Sequence, residues 1–448
     1  MADEGSAGFS ADFFDRRHSR SLGWQPLRGN MLRAVRALLW PCLPRPVRRT
    51  ILDWVLARRR APLALDAPPV EPVCIVGLLS THTGIGEGGR LAGRAFAALG
   101  YEVRSVDVSD ILQGANAGPT LPPPLEKGPG TVVLHFNPDN LSAVLTLLGR
   151  PRLRGKRMIG YWAWELPRIP DHWLPAFEEV DEVWTPSRFV ADAVRGFTRK
   201  PVRVVPHPVA QGRIGRRRRS DFGIGDEFTA LSMFSFASSF PRKNPIAAVQ
   251  SFRRAFGDSS DRRLILKVSD GHESPEEMVE LVEAIGGAPN ISIEERRLSD
   301  DDRLDLIASA DVLLSLHRSE GFGLVMAEAM LAGVPTVATA WSGNLDYMDE
   351  TSALLVPVRM VPAADRRGVY ESAEYWAEPD VEAAAAHLAA LAAEPARFEA
   401  MRRAARAMAQ ERLGLDGFAR AVEPCFELSG AAAGAERAPG ERAVAMVA

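Results

Sequence analysis

Val73-Cys74-Ile75-Val76-Gly77-Leu78-Leu79-Ser80-Thr81-His82-Thr83-Gly84-Ile85-Gly86-Glu87-Gly88-Gly89 carries the reading of the fold. Its first seven residues form an apolar run bounded by proline on one side and polar residues on the other. That is the pattern of a strand buried on both faces of a parallel sheet. A glycine-rich loop follows. The spacing then predicts a helix over about 88–99, stopped by Gly100, and a second strand over 101–108. Strand, loop, helix and strand make the repeating unit of a doubly wound α/β sheet. The alternation continues with strands at 131–136, 157–162, 182–185 and 203–205, enough for one complete α/β domain.

Periodicity lapses over 211–226, where glycines flank Arg216, Arg217, Arg218 and Arg219, and the segment reads as a linker. The alternation then restarts, with strands at 229–236, 262–268, 291–293, 312–316 and 336–338. Helices are expected at 245–256, 275–285, 301–308, 324–332 and 381–394, and a last one near 415–428 with Phe418, Val422 and Phe426 on one stripe. The organisation is an extension over 1–70, an α/β domain over 71–210, the linker, a second α/β domain over 227–414, a terminal helix over 415–430 and a flexible tail over 431–448. The length of 448 residues suits that count.

Composition narrows the class. With 46% hydrophobic and 25% charged residues the chain reads as an ordinary globular enzyme, and a net charge of −3 argues against a nucleic-acid binder. The near-neutral total hides an asymmetry. Residues 15–60 hold twelve Arg against two Asp, a net of +10, so the remainder carries −13. Met31, Leu32, Val35, Leu38 and Leu39 recur at helical spacing within that stretch. A basic amphipathic anchor on an anionic membrane face fits the pattern, and so does a helical extension packed on the core. No run of about 20 apolar residues is present, and three scattered cysteines suit neither a disulfide framework nor a zinc cluster. A cytoplasmic enzyme, peripheral at the inner membrane face if the anchor operates, is the expectation.

Three strand ends hold the candidate chemistry. Gly84, Gly86 and Gly89 satisfy G-x-G-x-x-G, and Asp107 follows at the end of the next strand. That resembles a dinucleotide fingerprint, yet Gly84 trails the strand by five residues, too far for the first turn of a nicotinamide site. The loop Gly84-Ile85-Gly86 is read instead as a cradle for a ligand's phosphate or hydroxyls, with a structural turn as the plain alternative. In the second half, His317-Arg318-Ser319-Glu320-Gly321-Phe322-Gly323-Leu324 leads into a helix bearing Glu328, eight residues after Glu320. Glu320 falls in a loop at the carboxyl end of a strand, where α/β folds place ligands, and two carboxylates there suit the gripping of hydroxyls. Ser238, Arg242 and Lys243 follow the first strand of the second domain, and Lys267 ends the next. In the first domain His135, Trp162, Trp164 and Glu165 sit at strand ends; the tryptophans suit either stacking on sugars or packing in the core beside a turn, His135 either a structural or a site role, and Glu165 the binding of a hydroxyl. Asp300-Asp301-Asp302 reads as an acidic helix start, and no metal is expected.

The segment from Glu320 to Glu328 resembles the Glu-x7-Glu signature of retaining nucleotide-sugar glycosyltransferases with the GT-B fold, glycosyltransferase family 4. Trp341-Ser342-Gly343-Asn344-Leu345-Asp346-Tyr347-Met348 resembles the family's next block, and the likeness spans most of 73–430. It implies two Rossmann-like domains facing a cleft. Glu320 would meet the donor sugar, Glu328 the ribose, and the backbone of Gly321, Phe322, Gly323 and Leu324 the sugar and diphosphate. Lys243 matches the family lysine. The family arginine lies some six residues earlier, where this chain has Ala237 and Ser238, so Arg242 or the Ser238 segment would replace it. The resemblance implies a UDP- or GDP-sugar donor, no obligatory cofactor, a glycan or lipid-linked glycan acceptor, and retention by front-face attack. An NAD-dependent oxidoreductase, a GT-B epimerase or phosphorylase, and a non-catalytic sugar-nucleotide scaffold are the alternatives.

Overall fold

The computed structural model describes residues 65–113, 125–209, 215–365, 368, 370 and 374–430. The basic stretch 15–60 and the tail 431–448 lie outside the described residues, and with them the expected membrane anchor.

The first sheet comprises β1 (Val73–Gly77), β2 (Val103–Asp107), β3 (Gly130–His135), β4 (Lys156–Tyr161), β5 (Glu182–Thr185) and β6 (Val202–Val204). All its pairings are parallel, in the order β2-β1-β3-β4-β5-β6. β1 is buried at every position, which explains why it reads as an unbroken apolar run, and β3 is equally buried although it carries Thr131 and His135. The second sheet holds β7 (Phe228–Ser235), β8 (Arg262–Ser269), β9 (Ile291–Glu294), β10 (Val312–Ser315), β11 (Thr336–Thr339) and β12 (Leu354–Val356), also parallel, in the order β12-β11-β10-β7-β8-β9. The chain reverses its winding direction between β7 and β10. The carboxyl ends of those neighbours therefore open a crevice between diverging loops. In the first sheet the equivalent point lies between β1 and β3.

The helix expected from Gly88 begins four residues earlier, at Gly84, and runs to Ala98. Thr83 caps it, its hydroxyl accepting from the Gly86 amide at 3.2 Å. Gly84, Ile85 and Gly86 are thus the first helical turn, not a loop. The helix Leu415–Gly430 returns to the first sheet, where Phe418, Val422 and Cys425 are buried with Val73, Ile75 and Phe96. The Phe96 and Phe418 rings meet edge to face at 5.1 Å.

β12, a helix and a hairpin lie beyond the expected set. The helix Glu399–Leu413 packs chiefly through Ala405, Ala409 and Leu413, and a stripe of alanines leaves little apolar signal. An antiparallel hairpin, β13 (Val358–Pro362) with β14 (Tyr375–Pro379), follows β12. Trp376 and, between the strands, Tyr370 are buried in the aromatic core of the first domain, beside Trp164 and Trp173. The hairpin therefore ties the second domain to the first at the edge of the crevice.

Candidate functional site

Glu320 lies just past the carboxyl end of β10, and Arg242 and Lys243 just past that of β7. The neighbouring strands bring the two loops together. The ammonium of Lys243 bonds the Glu320 carboxylate, and the Arg242 guanidinium stands 3.2 Å from the same oxygen. Burial alone would raise the Glu320 pKa, but Lys243, Arg242 and His317 outweigh it and hold the carboxyl down at about 2. Burial disfavours the Lys243 ammonium and lowers its pKa, with Glu320 acting against that shift.

The two cations differ in freedom. Arg242 donates to the carbonyls of Ser319 and Ser238, each at 2.8 Å, and lies 3.7 Å from Glu165. Its fork is committed to holding two loops together. The Lys243 ammonium has Glu320 as its hydrogen-bond partner among the described residues and can turn toward a ligand. Ser238 enters through its carbonyl.

The Glu320 backbone is clamped from the far side. Its amide donates to Ser342 Oγ at 2.8 Å and its carbonyl accepts from Gly343 at 2.9 Å. Any side chain at residue 343 would run into the Gly321 carbonyl. Asn344 donates to Thr339 O at 3.0 Å, so its Oδ1 accepts from His317 Nε2–H at 3.2 Å. That places a proton on Nε2, while burial lowers the His317 pKa. His317, Ser342 and Asn344 were not singled out as site residues in the sequence, although the block from Trp341 carried the signal.

Gly323, at φ 90°, turns the chain into the helix Leu324–Ala332, which has no side-chain cap. Its N-terminus faces the first turn of the helix Gly84–Ala98, where Gly84 lies near Leu324 Cδ1. Two helix N-termini thus converge on the crevice, a favourable place for a diphosphate. Glu328, on that second-domain helix, is buried and bonded to Arg303 from the helix Asp300–Ser309. Burial raises the Glu328 pKa more than Arg303 lowers it. Phe322 is buried, its ring against His207 at 5.0 Å, and Ser187 Oγ donates to the Gly321 carbonyl at 2.6 Å, so the Glu320 loop rests on the first domain.

The first-domain candidates divide. Glu165 reaches the site, accepting from Tyr370 at 3.0 Å beside Arg242. Trp162 and Trp164 are not sugar platforms. Trp162 is fully buried against Trp173 and Phe177, and the Trp164 indole packs on Trp173 and donates to the Arg168 carbonyl at 2.7 Å. Their apolar bulk serves the core, and Trp164 meets the crevice through its backbone beside Gly321. His135 is buried and stacked on Tyr161 at 4.1 Å, beneath the helix Gly84–Ala98. Lys267 donates to the Val268 carbonyl at 2.9 Å among the charges of Glu294, Glu295, Arg296 and Asp270, not to the Glu320 cluster.

The glycines of the first helix have a packing reason. A Cβ on Gly86 would meet the Leu78 carbonyl at 2.5 Å, and one on Gly88 would lie 2.6 Å from His207 Nδ1 and 2.9 Å from His135 Cε1. Gly88→Ala is therefore expected to cost about 1–3 kcal/mol, read as a fall in melting temperature. An unchanged melt would mean that the imidazoles can retreat.

Among the described residues no three His, Cys, Asp or Glu side chains are grouped to hold a metal ion, and no helix is long and apolar enough to cross a membrane. Asp301 and Asp302 pair instead with Arg216 and Arg217, at 2.8 and 2.5 Å.

Two parallel sheets facing one crevice, with a carboxylate and cations at the second sheet's switch point, define a GT-B sugar-transfer scaffold. The model for family 4 glycosyltransferases in conflict systems matches residues 187–422, more than half of the 448 residues, and the chain belongs to this glycosyltransferase family. An oxidoreductase reading is thereby set aside. N-acetyl-alpha-D-glucosaminyl L-malate synthase of Bacillus anthracis is 32% identical over 128 residues, 28% of this chain and 31% of that protein. The chain thus spans about a third of the length of the curated relative it matches. Sucrose-phosphate synthase of Thermosynechococcus elongatus is 16% identical, with a TM-score of 0.58 over 81% of this chain and all of that one. Anabaena HepE in complex with UDP-glucose is 12% identical, with a TM-score of 0.56 over 80% of this chain and 99% of that one. At such identities the structural likeness speaks for the fold.

Proposed function

We propose that the enzyme moves a hexose-type sugar from a UDP- or GDP-sugar to a glycan or lipid-linked glycan, with retention of configuration, in polysaccharide or cell-envelope glycan synthesis. The observation that carries this reading is the cluster of buried Glu320 and Arg242 with half-buried Lys243 beside two converging helix N-termini. The diphosphate fits between those N-termini, with Lys243 turning to it as its charge grows. Glu320 meets the sugar hydroxyls, Glu328 the ribose, and Glu165 an acceptor hydroxyl. The donor phosphate takes the acceptor proton during front-face attack, so no side chain is assigned as general base.

A thermal-shift screen of UDP- and GDP-sugars tests the donor, since a ligand that binds the folded state raises its stability by mass action. Anomeric analysis of the product tests retention, and omission of the acceptor or addition of phosphate separates transfer from epimerisation and phosphorolysis. No stabilisation by any of these sugars would overturn the donor assignment. A small hydroxy acid acceptor is the second reading, favoured by the malate-utilising name of the curated relative. For the basic stretch 15–60 we propose peripheral contact with anionic membrane. A chain lacking residues 1–64 is then expected to bind anionic vesicles more weakly than the full chain in a sedimentation assay, and equal binding would refute the contact.

A further inference from the structure

Glu328 is buried at 5% exposure, and among the described residues its carboxylate has one hydrogen-bond partner, NH1 of Arg303 on Oε2. That contact leaves Oε1 for another group. Arg303 stands in the first turn of the helix Asp300–Ser309, which begins beyond the carboxyl end of β9. It therefore approaches Glu328 from an element other than those that carry Lys243 and Glu320. The charges that face this pair are Asp300, on the same helix as Arg303 and 3.9 Å from it, and Glu87 of the helix Gly84–Ala98, held by Arg90 and by Arg94 at 3.0 Å. Both are acidic. Without Arg303, Glu328 would be a buried carboxyl with two negative neighbours, and such a group takes up a proton. A protonated carboxyl has lost one of its acceptor oxygens for a vicinal diol.

We propose that Arg303 is a positioning residue for the donor: it keeps Glu328 a carboxylate and turns its free oxygen to the ribose hydroxyls of the nucleotide. The inference rests on the nucleotide-sugar reading and adds to it a residue that the Glu-x7-Glu pattern does not contain. Arg303 touches Glu328, not the reacting atoms, so its loss acts on donor binding. Lysine, a cation of similar reach, substitutes in part.

The test is calorimetric binding of UDP, GDP and their 2′-deoxy analogues to the full chain between pH 6 and 8.5, for wild type, Arg303→Met, Arg303→Lys and Glu328→Ala. Wild type is expected to prefer the ribonucleotide and to show a flat profile. In Arg303→Met, affinity for the ribonucleotide falls about 10-fold at pH 7, the scale of one charge-assisted hydrogen bond. The preference over the 2′-deoxy analogue shrinks with it. Affinity then recovers as pH rises and Glu328 ionises, while Arg303→Lys lies between. A merely structural loss would weaken both nucleotides equally and leave the pH profile flat. That result, or Arg303→Met binding as wild type does while Glu328→Ala is impaired, overturns the inference alone. Glu328→Ala binding as wild type does, or no binding of either nucleotide to wild type, overturns the ribose reading itself and the inference with it.

Discussion

Lys243→Ala is expected to lower kcat at least about 100-fold, the scale of a lost charge-stabilising group in a closed site, while the melting temperature moves by no more than about 4 °C. The asymmetry follows from the geometry. Burial disfavours the Lys243 ammonium, so the native fold gains little from it. Removing it leaves Glu320 paired with Arg242 at 3.2 Å, so no carboxylate is stranded. The transition state loses more. Arg242 is spent on the Ser319 and Ser238 carbonyls and cannot swing to a departing diphosphate, whereas Lys243 is bound through Glu320 alone among the described residues. Steady-state transfer rates with the donor found by the thermal-shift screen, beside a thermal melt, check both halves. A kcat within about fivefold of wild type would return the leaving-group role to Arg242 or to the helix N-termini.

The sequence resolved the scaffold where one physical rule acted alone. β1 is buried at every position, so a continuous apolar run marked it, whereas β3 and β5 are as buried but carry Thr131, His135, Glu182 and Thr185. The helices Pro245–Phe256 and Pro275–Ile285 open on proline and close before glycine, and their ends fell where those residues put them. Reading failed where tertiary packing chose the residue. The glycines after Thr83 looked like a ligand loop but lie in a helix pressed on Thr81, His135 and His207. Trp162 and Trp164 looked like sugar platforms because a strand end and a core edge share the same local sequence. Tyr370 joins the site from a hairpin whose strands are twelve residues apart, and Arg303 from the acidic first turn of a helix read only for its cap. No local pattern ties either residue to Glu165 or Glu328. The Glu320 loop was legible because its partner strand, its glycines and its clamping block are all encoded in short contiguous segments.

Glu320→Ala should also lower kcat at least about 100-fold, but with a larger loss of stability than Lys243→Ala, because it leaves the buried Arg242 and the half-buried Lys243 facing an empty space. Glu320→Gln keeps the shape and separates the two effects. The cations and His317 hold the Glu320 carboxyl at about 2, below its ordinary 4.5, so it is ionised at every working pH and is no proton shuttle. The wild-type and Glu320→Gln pH–rate profiles should therefore run parallel between about pH 5 and 8. The stability profile has a definite sign. A carboxyl whose folded pKa is depressed contributes stability above its unfolded pKa and loses that contribution as pH falls toward the folded one. The stability gap between wild type and Glu320→Gln is then greatest near neutrality and closes as pH drops from 4.5 toward about 2. Denaturant titrations at pH 7, 4 and 3 measure that gap. A gap that stays constant or widens on acidification would mean that Glu320 is not held as a carboxylate by Lys243 and Arg242. A new acid limb in the wild-type rate profile that vanishes in Glu320→Gln would instead make Glu320 a proton-transfer group.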